Sequence, residues 1–300
     1  MRRILFEIPL PYGHYLPINS FGVMVAVGFL AALWVALDRG RREKLSQEVI
    51  WDVWTVALIS GVAGARLFFV IEKWHLFREN PWEMVAVWQG GLVWYGGLGA
   101  ALLAGVLYLR HRRQPMLRVM DAVAPAIMMG LVFGRIGCFL NGCCFGRVTE
   151  LPWGVSFPKF GGSAHFHSAL AHQFSPAFGH QVETLGLDPG TLASEAVHPT
   201  QLYSSAAAVI IFLLLTAYYP RRRRPGEVFW LMLVLYGIAR FLVEALRSNT
   251  TVWMGLSLAQ VMSLVTVPFA VGLFLHSRRQ AVSVGQEGRE SISPKGKRGK

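Results

Sequence analysis

Long apolar segments alternate with short polar connections along most of the chain. Each apolar segment has about 20 residues, the length an α-helix needs to cross the hydrocarbon core of a bilayer. We therefore predict an all-α integral membrane protein with about seven transmembrane helices. The predicted spans are residues 20–37, 53–71, 91–109, 119–140, 201–219, 227–246 and 256–275.

The composition agrees with a membrane protein and argues against a nucleic-acid-binding protein. Of the 300 residues, 53% are hydrophobic and only 15% are charged, and the mean hydropathy is +0.41. A formal net charge of +12 would suit nucleic acid if the basic residues lined one face. They instead form short clusters between the apolar segments. We expect the lipid bilayer as a partner and no nucleic acid.

The positions of the basic clusters predict how the chain is oriented in the membrane. They follow the first, third, fifth and seventh spans, at residues 39–44, 110–113, 221–224 and 278–300. The positive-inside rule places all four in the cytoplasm, so the N-terminus is predicted to be periplasmic and the C-terminus cytoplasmic. Arg2 and Arg3 are a minor exception to this pattern.

The domain organisation follows from the same pattern. Residues 1–276 are predicted to form a single transmembrane domain, with an external loop or small domain at 141–200, between helices 4 and 5. The segment 277–300, rich in Ser, Gly and Lys, is predicted to be a disordered basic tail in the cytoplasm.

Three arginines lie inside predicted spans: Arg66, Arg135 and Arg240. At 1.5 Å per helical residue, each lies about 20 Å from the cytoplasmic end of its helix, in the outer half of the membrane. A charged side chain at that depth is costly unless it is paired or faces a cavity. Because a guanidinium group binds phosphate through two parallel hydrogen bonds, three cations at one depth favour a shared anionic ligand.

The sixth span carries polar residues at helical spacing. Tyr236, Arg240, Glu244 and Arg247 recur at four, four and three positions, which places them on one helix face. One interpretation is a buried salt-bridge ladder in which Glu244 neutralises Arg240 or Arg247. The other is an anion-binding face, and the two are compatible.

The cysteine and histidine residues do not form a recognisable metal motif. Cys138, Cys143 and Cys144 lie together without a partnering pair elsewhere, so we interpret them as packed or locally oxidised thiols. The histidines of the 141–200 segment do not have the spacing of a closed zinc site. We predict no metal and no cofactor.

Four motifs in series resemble the prolipoprotein diacylglyceryl transferase family. They are Gly90-Gly91 to Gly96-Gly97, the segment from Gly134-Arg135 through Asn141-Gly142 to Gly146-Arg147, His198-Pro199-Thr200-Gln201-Leu202-Tyr203, and Tyr236 with Arg240 to Glu244. Together with the seven spans, they cover most of the chain.

The resemblance implies a multi-pass enzyme of the bacterial inner membrane. Members transfer the diacylglyceryl group of phosphatidylglycerol to the lipobox cysteine in the signal peptide of a prolipoprotein, forming a thioether and releasing glycerol phosphate. By resemblance, the candidate catalytic residues are Arg135, Arg240 and Tyr95. The candidate substrate-binding residues are Arg135, Asn141, Gly142, Gly146, His198, Gln201, Tyr203, Tyr236, Glu244 and Arg66.

The chain departs from the family pattern at a few positions. Cys138 stands where the better-known members have Asn, Cys143 where they have Glu, Tyr95 where a His is frequent, and Phe21 where a Tyr is expected. A tyrosine with a pKa near its usual value of about 10 is a poor base at neutral pH. We therefore favour an electrostatic mechanism, in which the arginines stabilise both the substrate thiolate and the phosphate leaving group.

Two other functions remain open from the sequence. Aligned arginines within the membrane would also suit a transporter or flippase for an anionic lipid or metabolite. The departures at Tyr95, Cys138 and Cys143 would also suit a homologue without catalytic activity.

Overall fold

The structure, a computed structural model, is mostly helical. It describes residues 3–9, 15–78, 80–87, 91–160, 173–247, 252 and 254–290, with the backbone alone at residue 76 and at 280–290. The α-helices of this part of the chain are α1 (Ser20–Arg42), α2 (Gln47–Glu72), α3 (Trp94–His111), α4 (Met116–Asn141), α5 (Pro176–Leu185), α6 (Thr200–Tyr218), α7 (Glu227–Ala245) and α8 (Leu258–Glu290).

Six of the described helices are long and apolar enough to cross a membrane: α1, α2, α4, α6, α7 and α8. Only 17% to 33% of the residues in their apolar stretches are buried within the protein. Large side chains such as Trp34, Ile59 and Val265 are exposed on these helices. A protein in water does not leave so much apolar helix surface uncovered, so these faces suit a lipid environment.

The third predicted span, 91–109, also coincides with a helix, α3, but α3 is not among these six. It begins with Trp94-Tyr95 and ends with Arg110-His111, and these polar ends reduce the hydropathy of a helix of only 18 residues. Each of the seven predicted spans thus coincides with a helix, and six of those helices have the length and hydropathy of a membrane span.

A two-stranded sheet precedes α1 and was not predicted from the sequence. Strand β1 (Ile4–Pro9) pairs antiparallel with β2 (Tyr15–Asn19), with Ile4 opposite Asn19 and Glu7 opposite Pro17. The backbone N–H and side-chain hydroxyl of Ser20 both donate to the carbonyl oxygen of Arg3, at 3.0 and 3.1 Å. These bonds tie the residue before β1 to the first residue of α1.

The chain forms two compact units, one comprising Met1–Val35 with Ala124–Lys300 and the other comprising Ala36–Val123. Glycines allow close helix contacts within each. In the second unit, a Cβ added at Gly64 of α2 would lie 2.2 Å from Cβ of Ala100 in α3. In the first, a Cβ at Gly28 of α1 would lie 3.1 Å from the carbonyl oxygen of Gly130 in α4. Such small-residue contacts are typical of helices packed in membranes.

The segment between α4 and α6 folds around its own apolar cluster. Phe157, Ala177 and Val197 are buried there, and Phe139 and Phe145 pack against them. Isolated β-bridges from Val148 and Val155 to Val197 bring the two ends of the segment together. His165, His167 and His172, whose spacing does not indicate a zinc site, lie outside the described residues.

At the C-terminal end, α8 continues to Glu290. It thus runs through part of the segment 277–300, for which the sequence predicts a disordered tail. The rest of that segment lies outside the described residues.

Candidate active site

The polar face of α7 is organised around a buried carboxylate. Only 1% of the Glu244 side chain is exposed, and its Oε2 lies 2.8 Å from Nη1 of Arg240 and 3.7 Å from Nη1 of Arg247. The salt-bridge ladder expected from the spacing is therefore present. It leaves two guanidinium groups facing one carboxylate, so the ladder by itself does not balance their charge.

Arg135 adds a third guanidinium group to this region. It lies on α4 and lines a pocket with Tyr236 and Arg240 of α7. The other lining residues are Leu131, Ser204, Ala207, Ala208, Ile211, Ala239 and Val243, and the cavity volume is about 10 Å³. Within the described part of the chain, Arg135 forms no ion pair or hydrogen bond. The structure therefore brings Arg135 and Arg240, which are 105 positions apart in the sequence, into one pocket with a surplus of positive charge.

Several buried polar atoms near the C-terminal end of α4 and the start of α6 have no hydrogen-bond partner among the described residues. They are Nδ1 of His198, Oε1 of Gln201 and Nε of Arg247. Buried polar groups are nearly always paired in folded proteins, so each of these atoms can still form a hydrogen bond. Unsatisfied donors and acceptors of this kind are consistent with a site for a polar ligand.

Asn141, at the end of α4, is bound by an arginine that the sequence analysis did not select. Nε of Arg3 donates to Oδ1 of Asn141 at 3.1 Å. Burial lowers the pKa of Arg3, and the nearby Cys143 partly offsets this effect. From the sequence, Arg3 was noted only as an exception to the positive-inside rule. Its contact with a residue 138 positions away has no local signal.

The His198 to Tyr203 motif holds the turn that follows α4. Nε2 of Gln201 donates to the carbonyl oxygen of Cys143 at 2.7 Å, and Oγ1 of Thr200 donates to that of Cys144 at 2.8 Å. Tyr203 accepts a hydrogen bond from Nε1 of Trp153 at 2.8 Å, and its ring centroid lies 6.3 Å from that of His198. In this structure the motif positions backbone at the end of α4.

Gly142 and Gly146 have structural roles at this turn. Gly142 has φ of +74°, a left-handed conformation that side chains disfavour. A Cβ at Gly146 would lie 2.6 Å from Cβ of His198, and Gly146 N–H donates to the carbonyl oxygen of His198 at 2.9 Å. Neither glycine lines the pocket, so their predicted part in substrate binding remains a prediction.

The three cysteines meet at the same turn. They are free thiols, each partly buried, and their Sγ atoms all lie within 4.8 Å of one another. Hydrogen bonds from the thiols of Cys138 and Cys143 lower the pKa of Cys144, and the positive charges of Arg247 and Arg135 lower it further. The packed thiols expected from the sequence are present, without a disulfide.

Arg66 and Tyr95 belong to the other compact unit. Arg66 is buried, with Nε donating to the carbonyl oxygen of Met84 at 3.0 Å and Nη1 to that of Gly91 at 3.2 Å. Its guanidinium also lies 5.4 Å from the ring centroid of Phe69. Backbone carbonyl oxygens thus accept hydrogen bonds from the guanidinium of Arg66, which was predicted to bind a phosphate. A substrate-binding role for Arg66 stays a prediction.

Tyr95 lies on the first turn of α3, with 57% of its surface exposed. Its ring packs edge-on against Trp94 at a centroid distance of 5.3 Å. This exposure suits an aromatic residue at a membrane interface. A catalytic role for Tyr95 also stays a prediction.

Comparison with known proteins decides the family. The model of the prolipoprotein diacylglyceryl transferase family matches residues 5–276. The chain belongs to this family. The match includes every residue of the pocket and of the thiol cluster, whereas Arg3 precedes it.

Curated relatives align with nearly the whole chain. The phosphatidylglycerol--prolipoprotein diacylglyceryl transferase of Clostridium tetani is 31% identical over 92% of this chain and 96% of its own length. The protein of the same name from Bacillus cereus is 30% identical over 88% of this chain and 89% of its own length. For this diacylglyceryl transferase family member, the pocket between α4, α6 and α7 is the candidate active site.

Proposed function

We propose that this protein transfers the diacylglyceryl group of phosphatidylglycerol to the lipobox cysteine thiol of a prolipoprotein. The observation that carries the proposal is the pocket in which Arg135 and Arg240 meet, next to Arg247 and a single buried carboxylate, Glu244. Membership of the family and the names of the curated relatives support the same activity.

The charge of the pocket matches the charge change of this reaction. Among the described residues, Arg135 and Arg240 in the pocket and Arg247 and Glu244 beside it leave an excess of two positive charges. The phosphodiester of phosphatidylglycerol carries one negative charge, and the departing glycerol phosphate approaches two. Because the excess charge is better balanced by the leaving group than by the lipid, the pocket stabilises the transition state more than the bound substrate.

In the proposed reaction, the sulfur of the lipobox cysteine attacks the glyceryl carbon that carries the phosphate. A C–S bond forms, the C–O bond to the phosphate breaks, and glycerol phosphate leaves with the electron pair. The thiol proton passes to solvent. Arg135, without a carboxylate of its own among the described residues, is the group we assign to the lipid phosphate, and Arg240 supports the leaving group. The same positive charges favour the thiolate form of the nucleophile.

The surrounding residues are assigned positioning roles. Tyr236 lines the pocket, Glu244 orients Arg240 and Arg247, and Asn141 is held by Arg3. Oε1 of Gln201 and Nδ1 of His198, which lack partners within the described chain, are assigned to polar groups of the two substrates.

The membrane topology is part of the proposal. We infer seven crossings, made by the six long apolar helices and α3, with a periplasmic N-terminus and with the segment 141–200 on the periplasmic side of the inner membrane. Glycines of α2 and α3 pack closely, which suits adjacent crossings. Labelling of single introduced cysteines by a membrane-impermeant reagent on a cysteine-free background tests each loop. Labelling of the 221–224 loop from outside would refute this orientation.

The activity is tested with the purified full-length protein, phosphatidylglycerol vesicles and a peptide that contains a lipobox cysteine. The expected products are the diacylglyceryl peptide, detected by mass spectrometry, and an equal amount of glycerol phosphate. Arg135→Lys should lose at least about a hundredfold in turnover, because an ammonium group cannot replace a bidentate guanidinium on phosphate. Ser204→Ala, a change at another lining position, is the control that should stay active.

The alternatives give different results in the same assay. A transporter or flippase would move labelled phosphatidylglycerol between leaflets without forming the thioether, and an inactive homologue would do neither. Near-full turnover by Arg135→Lys would refute the electrostatic role proposed for this pocket.

A further inference from the structure

The thiol cluster at the end of α4 is not used by the proposed reaction. It contains all three cysteines of the chain, Cys138, Cys143 and Cys144. Their Sγ atoms lie within 4.8 Å of one another, and each residue is only partly buried. Free thiols that converge in this way are the usual protein ligands of soft metal ions.

The backbone of the turn is held in the conformation that brings the thiols together. Gly142 and Cys144 have φ of +74° and +61°, both in the left-handed region. For a residue with a side chain, such as Cys144, this conformation costs about 1 kcal/mol or more and persists only where the surroundings enforce it. Here Gln201 and Thr200 donate to the carbonyl oxygens of Cys143 and Cys144 at 2.7 and 2.8 Å. These two hydrogen bonds from the start of α6 therefore hold the backbone of the thiol cluster in this conformation.

The spacing and the charge of the cluster suit one divalent ion. With Zn–S bonds of about 2.3 Å and tetrahedral geometry, the sulfur atoms of a zinc site lie about 3.8 Å apart. Separations within 4.8 Å reach this value by small side-chain rotations. Three thiolates and Zn²⁺ together carry one negative charge. Arg135 and Arg247 lie close enough to act electrostatically on Cys144, and Arg3 is similarly close to Cys143.

We propose that Cys138, Cys143 and Cys144 bind one Zn²⁺ ion as three thiolate ligands, with the fourth coordination position open to water or to another thiol. Each thiol loses its proton when the ion binds, so three protons are released. Three protein ligands and one open position are typical of reactive rather than purely structural zinc sites. This inference does not depend on the transferase activity, because it concerns binding by the cluster alone.

The chain offers a specific optical test, because it has no other cysteine. The full-length protein in detergent, reduced and stripped of metal, is titrated with Co²⁺. We expect a thiolate-to-cobalt charge-transfer band that saturates at one ion per chain, together with the visible bands of tetrahedral cobalt. Added Zn²⁺ should displace the cobalt and abolish both signals. Zn²⁺ should also protect the thiols from alkylation by iodoacetamide.

Variants separate the cluster from other metal-binding groups. Cys138→Ser, Cys143→Ser and Cys144→Ser should each weaken cobalt binding at least about tenfold, and the triple substitution should remove the charge-transfer band. His111→Gln, which removes an exposed imidazole of the other unit, is the matched control and should keep the full band. Wild-type protein that is alkylated after folding provides a second test that does not require a variant to fold, and it should also lack the band.

Three results would overturn the proposal. The first is the absence of a charge-transfer band in reduced wild-type protein, and the second is a band that survives the triple substitution. The third is an intact mass two hydrogens lower that resists reduction, which would show a disulfide in the cluster. Diacylglyceryl transfer is measured separately on the same samples. If the wild-type protein binds cobalt but does not transfer the diacylglyceryl group, the result counts against the proposed function and not against the metal site.

Discussion

Replacement of Glu244 by Gln tests the charge balance on which the candidate site depends. The substitution keeps the shape of the side chain and removes the only carboxylate bound to Arg240 and Arg247 in the described structure. Glu244 is 1% exposed, Arg240 is 19% exposed, and their atoms are 2.8 Å apart, so solvent screens this pair little. Breaking a buried ion pair of this kind costs about 3–5 kcal/mol. The contact with Arg247, at 3.7 Å, contributes less.

The expected result is a large fall in thermal stability that an anionic lipid partly restores. For a chain of this size, each kcal/mol corresponds to about 2 °C in the unfolding midpoint, so Glu244→Gln should lower the midpoint by about 6–10 °C. Phosphatidylglycerol brings a negative charge to the same pocket. It should therefore raise the midpoint of the variant by more than that of the wild-type protein, since a saturating ligand contributes about 3 kcal/mol.

The measurement is a thermal unfolding scan at one fixed rate, in detergent with and without phosphatidylglycerol and with phosphatidylcholine as the neutral lipid. Arg135→Gln is the matched control, because it removes a positive charge from the same region instead of a negative one. It removes a cation that forms no ion pair in the described residues and that repels Arg240, so the midpoint should stay within about 2 °C of wild type or rise. An unchanged midpoint in Glu244→Gln, or an equal rise with both lipids, would contradict the charge balance proposed for this site.

Two further predictions concern contacts outside the pocket. Arg3→Ala and Asn141→Ala should each lower turnover about tenfold, and the double variant should lose no more than either single variant, because both remove the same hydrogen bond. Additive losses measured in the lipidation assay would contradict a shared role. Gly64→Val should lower the unfolding midpoint by several degrees, because its Cβ would overlap that of Ala100. Gly99→Ala, with no atom within 4 Å of an added Cβ, is the control and should be neutral in the same unfolding scan.

The positions of the long apolar helices were predictable because their hydrophobic length is the length that a bilayer span needs. Every predicted span coincides with a helix. The location of Arg135 and Arg240 in one pocket was predictable for a related reason. A charged side chain within the membrane is costly unless it faces a partner or a cavity. The ladder through Glu244 followed from helical spacing.

What the sequence did not predict depends on contacts between distant parts of the chain. Strands β1 and β2 are too short to give a periodic signal, and their pairing is a tertiary feature. The contact of Arg3 with Asn141 joins the residue before β1 to the last residue of α4. The hydrogen bonds of Arg66 to the carbonyl oxygens of Met84 and Gly91 were also not predicted, because hydropathy does not show which backbone groups a buried arginine contacts.

The isolation of Arg135 from any carboxylate in the described chain also affects biogenesis. Helix α4 leaves the ribosome well before α7, so this arginine must enter the bilayer before the helix that shares its pocket has been synthesised. On the translocon scale an arginine near the middle of a helix opposes insertion by about 2.5–3.5 kcal/mol. The leucine, valine, isoleucine and methionine side chains of the same segment must then outweigh that cost without a contribution from α7. Polar substitutions on the lipid-facing side of α4 should therefore reduce the yield of inserted protein before they alter the chemistry of any molecule that reaches the membrane.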